Sequence, residues 1–98
     1  MGDVMEIQQT ARFSLGRVVA TPGALQALET AGMGALPLLA RHQSGDFGAI
    51  DAEDWKANEK AIQQGWRVFS SYPLGQGKIW IITEADRSIT TLLLPEEY

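Results

Sequence analysis

After Gly65 the hydropathy pattern of this chain changes its period, and that change constrains the fold more than any other feature. Trp66, Val68, Ser70 and Tyr72 alternate with Arg67, Phe69 and Ser71, a two-residue repeat that belongs to strands. Gly75-Gln-Gly77 then supplies a tight turn, and residues 78–83 return as the partner strand of a hairpin. Residues 89–94 form a further strand, ended by Pro95, which cannot donate to a ladder.

Ahead of Gly65 the pattern is helical except at the start. Residues 12–20 alternate through Phe13 and Leu15 and then run apolar through Val18-Val-Ala20, which predicts a first strand. Thr21-Pro-Gly23 reads as a helix start, because Thr caps free N–H groups and Pro at the first helical position sacrifices no needed donor. Ala24, Leu25, Leu28 and Ala31 share one face, and Gly32 ends a first helix over 21–31. A second helix is expected over 35–43, with Leu36, Leu38 and Leu39 apolar and Arg41-His-Gln43 at its polar end. Asp51 caps a third, whose buried stripe carries Trp55, Ala61 and Ile62 and which closes at Gly65. The predicted class is α+β in the order β-α-α-α-β-β-β, a small, mostly antiparallel sheet packed against helices. Residues 1–98 are expected to make a single domain with 1–10 a loosely ordered lead-in.

Composition narrows the function classes. Eight Lys and Arg against twelve Asp and Glu give a net charge of −4, which disfavours nonspecific attraction to nucleic acid or anionic membrane. The absence of cysteine excludes disulfides, thiolate metal sites and cysteine nucleophiles. No apolar run approaches the roughly 20 residues of a membrane helix. A cytoplasmic location is the expectation, with no cofactor and no metal, since one His among scattered carboxylates falls short of a zinc ligand set.

Polar chemistry concentrates in three places. His42 is the only histidine and so the one side chain that titrates near neutrality when unperturbed, a candidate general acid or base. Its place before a glycine turn predicts an exposed position, and the alternative to a catalytic role is a solvated or C-capping histidine that complements the helix dipole. In Gly45-Asp-Phe-Gly48, Asp46 either binds a ligand or accepts local backbone bonds. The knot Thr83-Glu-Ala-Asp-Arg-Ser88 with Thr90 and Thr91 offers a binding set of Asp86, Arg87, Thr90 and Thr91 beside Asp46. In a catalytic alternative Arg87 grips a phosphate while Glu84 and His42 exchange protons; in a structural one Asp86 and Arg87 pin the bend. Trp55, Trp66 and Trp80 are expected in the core.

Several stretches resemble one family. Ala20-Thr-Pro-Gly-Ala-Leu25, Leu39-Ala-Arg-His42, Ser44-Gly-Asp-Phe-Gly48, Trp80-Ile-Ile-Thr-Glu-Ala-Asp-Arg-Ser88, Thr90-Thr91 and Leu94-Pro-Glu-Glu-Tyr98 look like small bacterial proteins labelled "plasmid-related". The resemblance spans most of residues 12–98 and implies a mobile-element context without an activity. A weaker likeness, in element order with a lone His, an Arg and a Thr pair, is to small ribonucleases of the barnase/RelE type. The expected function is a protein-interaction module of accessory or anti-defence type with a protein partner, the alternative a ribonuclease or other phosphoester-acting enzyme built on His42, Glu84 and Arg87. Strand addition at a sheet edge makes a homodimer a further expectation.

Overall fold

The computed structural model describes residues 11–98, so the expectation for 1–10 lies outside the described residues. Strand β1 (Arg17–Ala20) leads into helices α1 (Pro22–Ala31), α2 (Ala35–Ser44) and α3 (Ala52–Gln64), followed by strands β2 (Val68–Leu74), β3 (Gly77–Thr83) and β4 (Ile89–Leu93) and a short turn, Pro95–Glu97. The class is α+β in the order expected. The sheet runs β1-β4-β3-β2, with β2, β3 and β4 antiparallel in sequence and β1 parallel to β4. The Thr21 hydroxyl accepts from Ala24 N–H and the Asp51 carboxylate from Asp54 N–H, which satisfies one free donor at the start of α1 and of α3.

Two boundaries differ from expectation. The first strand begins at Arg17 rather than Arg12, because residues 12 and 13 are held by helices: Arg12 N–H bonds the Gln43 carbonyl, its guanidinium forks onto Glu59, and Gln43 bonds the Phe13 carbonyl. Trp66 is not in β2. Its N–H closes the end of α3 on the Ala61 carbonyl and its side chain is 52% exposed, while Trp55 and Trp80 are half-buried.

The sheet has two unlike faces. Tyr72, Leu74, Ile79, Ile81 and Leu92 point toward the helices and pack with Ala24, Leu28, Leu38 and Leu39. Burying one such aliphatic side chain stabilises the fold by ~1.5–3 kcal/mol. A second cluster, Phe47, Ala61 and Val68 with Trp55 and Ile62 against it, anchors α3 beside β2. The opposite face carries Val19, Phe69, Trp80, Ile82, Thr91 and Leu93, none of which belongs to either helical cluster. Tyr98 and the C-terminal turn lie against it, with the Tyr98 ring edge-on to Trp80 and Trp80 edge-on to Phe69.

The outer edge of β2 is closed by three devices. Asn58 of α3 exchanges two hydrogen bonds with the Phe69 backbone. Ser71 N–H donates to the Phe47 carbonyl, and the Ser71 carbonyl accepts from Ala49 N–H. Pro73, the next outward-facing residue, has no N–H to offer. Gly48 allows this approach, since a Cβ there would overlap the Ser71 carbonyl and the Tyr72 ring.

Candidate functional site

Beneath α2, four polar side chains with no solvent exposure meet: His42, Ser70, Thr83 and Thr90. Strand alternation places Ser70 on the helix-facing side of β2 opposite Ile81, Thr83 opposite Val68, and Thr90 opposite Thr83. His42 reaches down from the last turns of α2 between them. Its Nδ1 lies 2.6 Å from Ser70 Oγ and its Nε2 2.9 Å from Thr83 Oγ1. Thr83 Oγ1 is 2.7 Å from Thr90 Oγ1, and the Thr90 hydroxyl donates to the Leu15 carbonyl at 2.7 Å.

The terminal carbonyl sets every proton in this chain. A carbonyl only accepts, so the single Thr90 proton is committed to Leu15 and Thr90 must accept from Thr83. Thr83 then accepts from His42, which places the proton on Nε2. A neutral ring leaves Nδ1 to accept from Ser70. Burial, aided by the positive charge of Arg87, pushes the His42 pKa down to about 4, so the ring is neutral at pH 7. The Phe13 ring packs edge-on against His42, with centroids 5.2 Å apart, and closes the remaining side. Every buried side-chain nitrogen and oxygen among the described residues has a partner.

A serine hydroxyl donating to a neutral imidazole is the contact a nucleophile–base pair requires. Here the third position is a threonine, and both Ser70 and His42 are inaccessible. The network ties α2 to β2, β3, β4 and the segment before β1, and a substrate atom has no route to it. The expectation of an exposed His42 is thereby corrected: it follows Leu38 and Leu39 by four and three residues and so shares their buried face of α2.

The other candidate residues occupy separate places. Asp46 forms a fork with Arg41 at 2.7 and 3.3 Å, which holds its carboxyl below the usual range, and it accepts from Gly48 N–H. The Tyr72 hydroxyl donates to the Asp46 carbonyl under the Arg41 guanidinium, and burial pushes its pKa up to about 12. Glu84 pairs with Arg67 at 3.0 Å. Asp86 accepts from the Ser88 N–H and hydroxyl. Arg87 sits at φ +60° with its guanidinium over the Phe13 ring, donating to the carbonyls of Trp66, Glu84, Ala85 and Ala61. Thr91 lies on the opposite sheet face from Thr90. No hydrogen bond joins any two of the His42, Glu84 and Arg87 side chains: His42 and Arg87 share only the Phe13 ring between them, and Arg87 reaches Glu84 through its backbone carbonyl while the Glu84 carboxylate pairs with Arg67.

Two adjoining cavities of about 410 and 450 Å³ lie between α1, the β2–β3 turn and the C-terminal turn, sharing Ala27, Leu74 and Leu94. No candidate residue lines either. Among the described residues no group of three or more His, Asp or Glu side chains gathers as a metal site requires, and no helix is long and apolar enough to cross a membrane. Sequence reasoning did not single out Ser70 and Asn58. Ser70 had a signal, a polar residue at an inward position between Val68 and Tyr72; Asn58 had none.

Comparison with protein-family models, with curated proteins and with solved structures gives no match for this chain.

Proposed function

We propose that the chain is a nonenzymatic protein-interaction module whose working surface is the sheet face turned away from the helices. The observation that carries this reading is the apolar, aromatic character of that face: Val19, Phe69 and Trp80 are half-buried and accessible around Ile82 and Leu93, which are themselves buried. Antiparallel sheets commonly solvate such a face with polar residues, and a contiguous apolar patch marks a binding surface. Around it stand Arg17 and Lys78, basic groups on a chain of net charge −4, with Arg67 already paired to Glu84. The partner that fits is a protein segment presenting apolar side chains flanked by carboxylates. A cytoplasmic accessory protein of a mobile element, acting by occupying such a partner, is the setting that the plasmid-related resemblance supports. The sealed Ser70–His42 pair weighs against the ribonuclease alternative.

The test is an amide chemical-shift titration with synthetic peptides that combine Leu and Phe with Asp and Glu, against peptides in which Lys replaces the acids. Shifts confined to Phe69, Trp80, Thr91 and Leu93, present for the acidic series alone, are expected. Equal response to both series, or a response to a single-stranded RNA oligonucleotide instead, would overturn the reading.

A further inference from the structure

We infer that β1 is a docking edge for a second copy of this chain, paired antiparallel about a two-fold axis at Val19. The argument begins with the inequality of the two sheet edges. The β2 edge is closed by Asn58, by the backbone of Phe47 and Ala49, and by Pro73. These are the means by which sheets prevent strand addition. On β1, the N–H groups of Arg17 and Thr21 donate to the Ser88 and Leu92 carbonyls, so the alternating residues Val18 and Ala20 turn their backbone groups outward. Among the described residues no strand pairs with that side. Between Arg17 and Thr21 there is neither a charge nor a proline, and Val18 is 42% exposed although it lies on the helical side.

The second copy is favoured by register, which is self-complementary and brings no like charges face to face along the strand. With only Val18 and Ala20 facing outward, a two-fold pairing sets Val18 against the second copy's Ala20 and Ala20 against its Val18. Val19 then stands opposite the second copy's Val19, and Arg17 opposite Thr21, so the two arginines do not confront one another. Four backbone hydrogen bonds form, and Val18 gains cover. The apolar faces of the two sheets join through the paired Val19 side chains into one eight-stranded surface. A contact of this size belongs to the weak, transient class. It does not depend on the face taking a protein partner.

Because the chain has no cysteine, Val19→Cys reports the register directly. Residues opposite one another at a non-hydrogen-bonded site have Cα atoms about 4.5 Å apart, within disulfide range. Under mild oxidation Val19→Cys is expected to give covalent dimer about tenfold faster than Gln76→Cys in the exposed β2–β3 turn, through the raised local concentration. Adding Ala20→Pro, which removes an outward N–H, should erase the difference. In sedimentation velocity the wild-type chain should show a mass that rises with concentration. A wild-type monomer at every concentration, equal rates for the two cysteine variants, or cross-linking indifferent to Ala20→Pro would each overturn the proposal. Should Val19→Cys fail to fold, the wild-type sedimentation decides alone.

Discussion

Asn58 completes the edge of the sheet in place of a strand, its Nδ2 donating to the Phe69 carbonyl at 2.6 Å and its Oδ1 accepting from Phe69 N–H at 3.0 Å. An amide side chain matches a peptide group in donor and acceptor, so α3 satisfies the one outward pair on β2 that neither the loop backbone nor Pro73 reaches. Replacing Asn58 by Leu keeps the volume and leaves both groups unpaired. Urea unfolding should show a loss of about 2–4 kcal/mol, and the variant should aggregate more readily at the newly opened edge. Wild-type stability in Asn58→Leu would mean that water replaces the amide.

His42 makes stability fall with acid before the carboxylates do. Its folded pKa of about 4 lies below its ordinary 6.5, so the unfolded chain binds the extra proton. The network is intact above pH 6.5 and its contribution is lost between pH 6.5 and 4, by roughly 3 kcal/mol in total. Asp46 and Glu59 have depressed values, so the support they give is lost at lower pH, as acid falls through and below the ordinary carboxylate range. Urea midpoints at pH 7, 5.5 and 4 should follow this slope in the wild type and lose its upper part in His42→Gln. The imidazole nitrogen shifts should report Nε2–H with Nδ1 bare; the reverse tautomer would contradict the proton order derived from Leu15.

Arg87 combines a left-handed backbone with four carbonyl partners, and the two can be separated. Arg87→Ala loses the bonds and retains the strain, whereas Arg87→Gly loses the bonds and relieves about 1 kcal/mol of strain. Thermal melts should rank wild type above the glycine variant and the glycine variant above alanine, with a gap between the variants of about 4–8 °C. Alanine melting above glycine would remove the strain argument.

Gly48 and Gly32 both sit at positive φ, yet their substitutions should differ. A Cβ at Gly32 meets nothing within 4 Å, so Gly32→Ala is expected to cost about 1 kcal/mol. At Gly48 the Cβ would run into the Ser71 carbonyl and the Tyr72 ring, forcing the loop off the edge of β2. Gly48→Ala should lose several times as much, with faster hydrogen exchange at Ser71 and Ala49 as the signature. Similar costs at the two sites would show that the loop shifts freely.

Local chemistry made much of this fold legible. Thr21 and Asp51 as helix caps, Gly32 and Gly65 closing α1 and α3, and the two-residue repeat of β2 from Val68 onward all act within a few residues, and they appear where the pattern places them. What depends on distant partners was not legible. Nothing in Val18-Val-Ala20 says that its neighbour is β4, roughly seventy positions on, and nothing in Arg12-Phe13 says that helices hold it away from the sheet. His42 looked like a polar helix end because burial is a property of where α2 lies. The polar knot was visible, but its residues split between a turn, an ion pair and a buried network only once strand parity was known.

The parallel pairing of β1 with β4 also sets a timetable. Synthesis adds ~5–20 residues per second, so several seconds on that scale separate the appearance of Val18 and Val19 from that of Thr90 and Leu92, which they need as ladder partners. Until β2 and β3 follow, the helices can form but have no sheet to cover, and Ser70, Thr83 and Thr90 reach His42 one after another. A ribosome-bound chain therefore carries β1 as an unpaired strand until β4 emerges, so a premature stop anywhere before β4 should yield a fragment that seeks another strand.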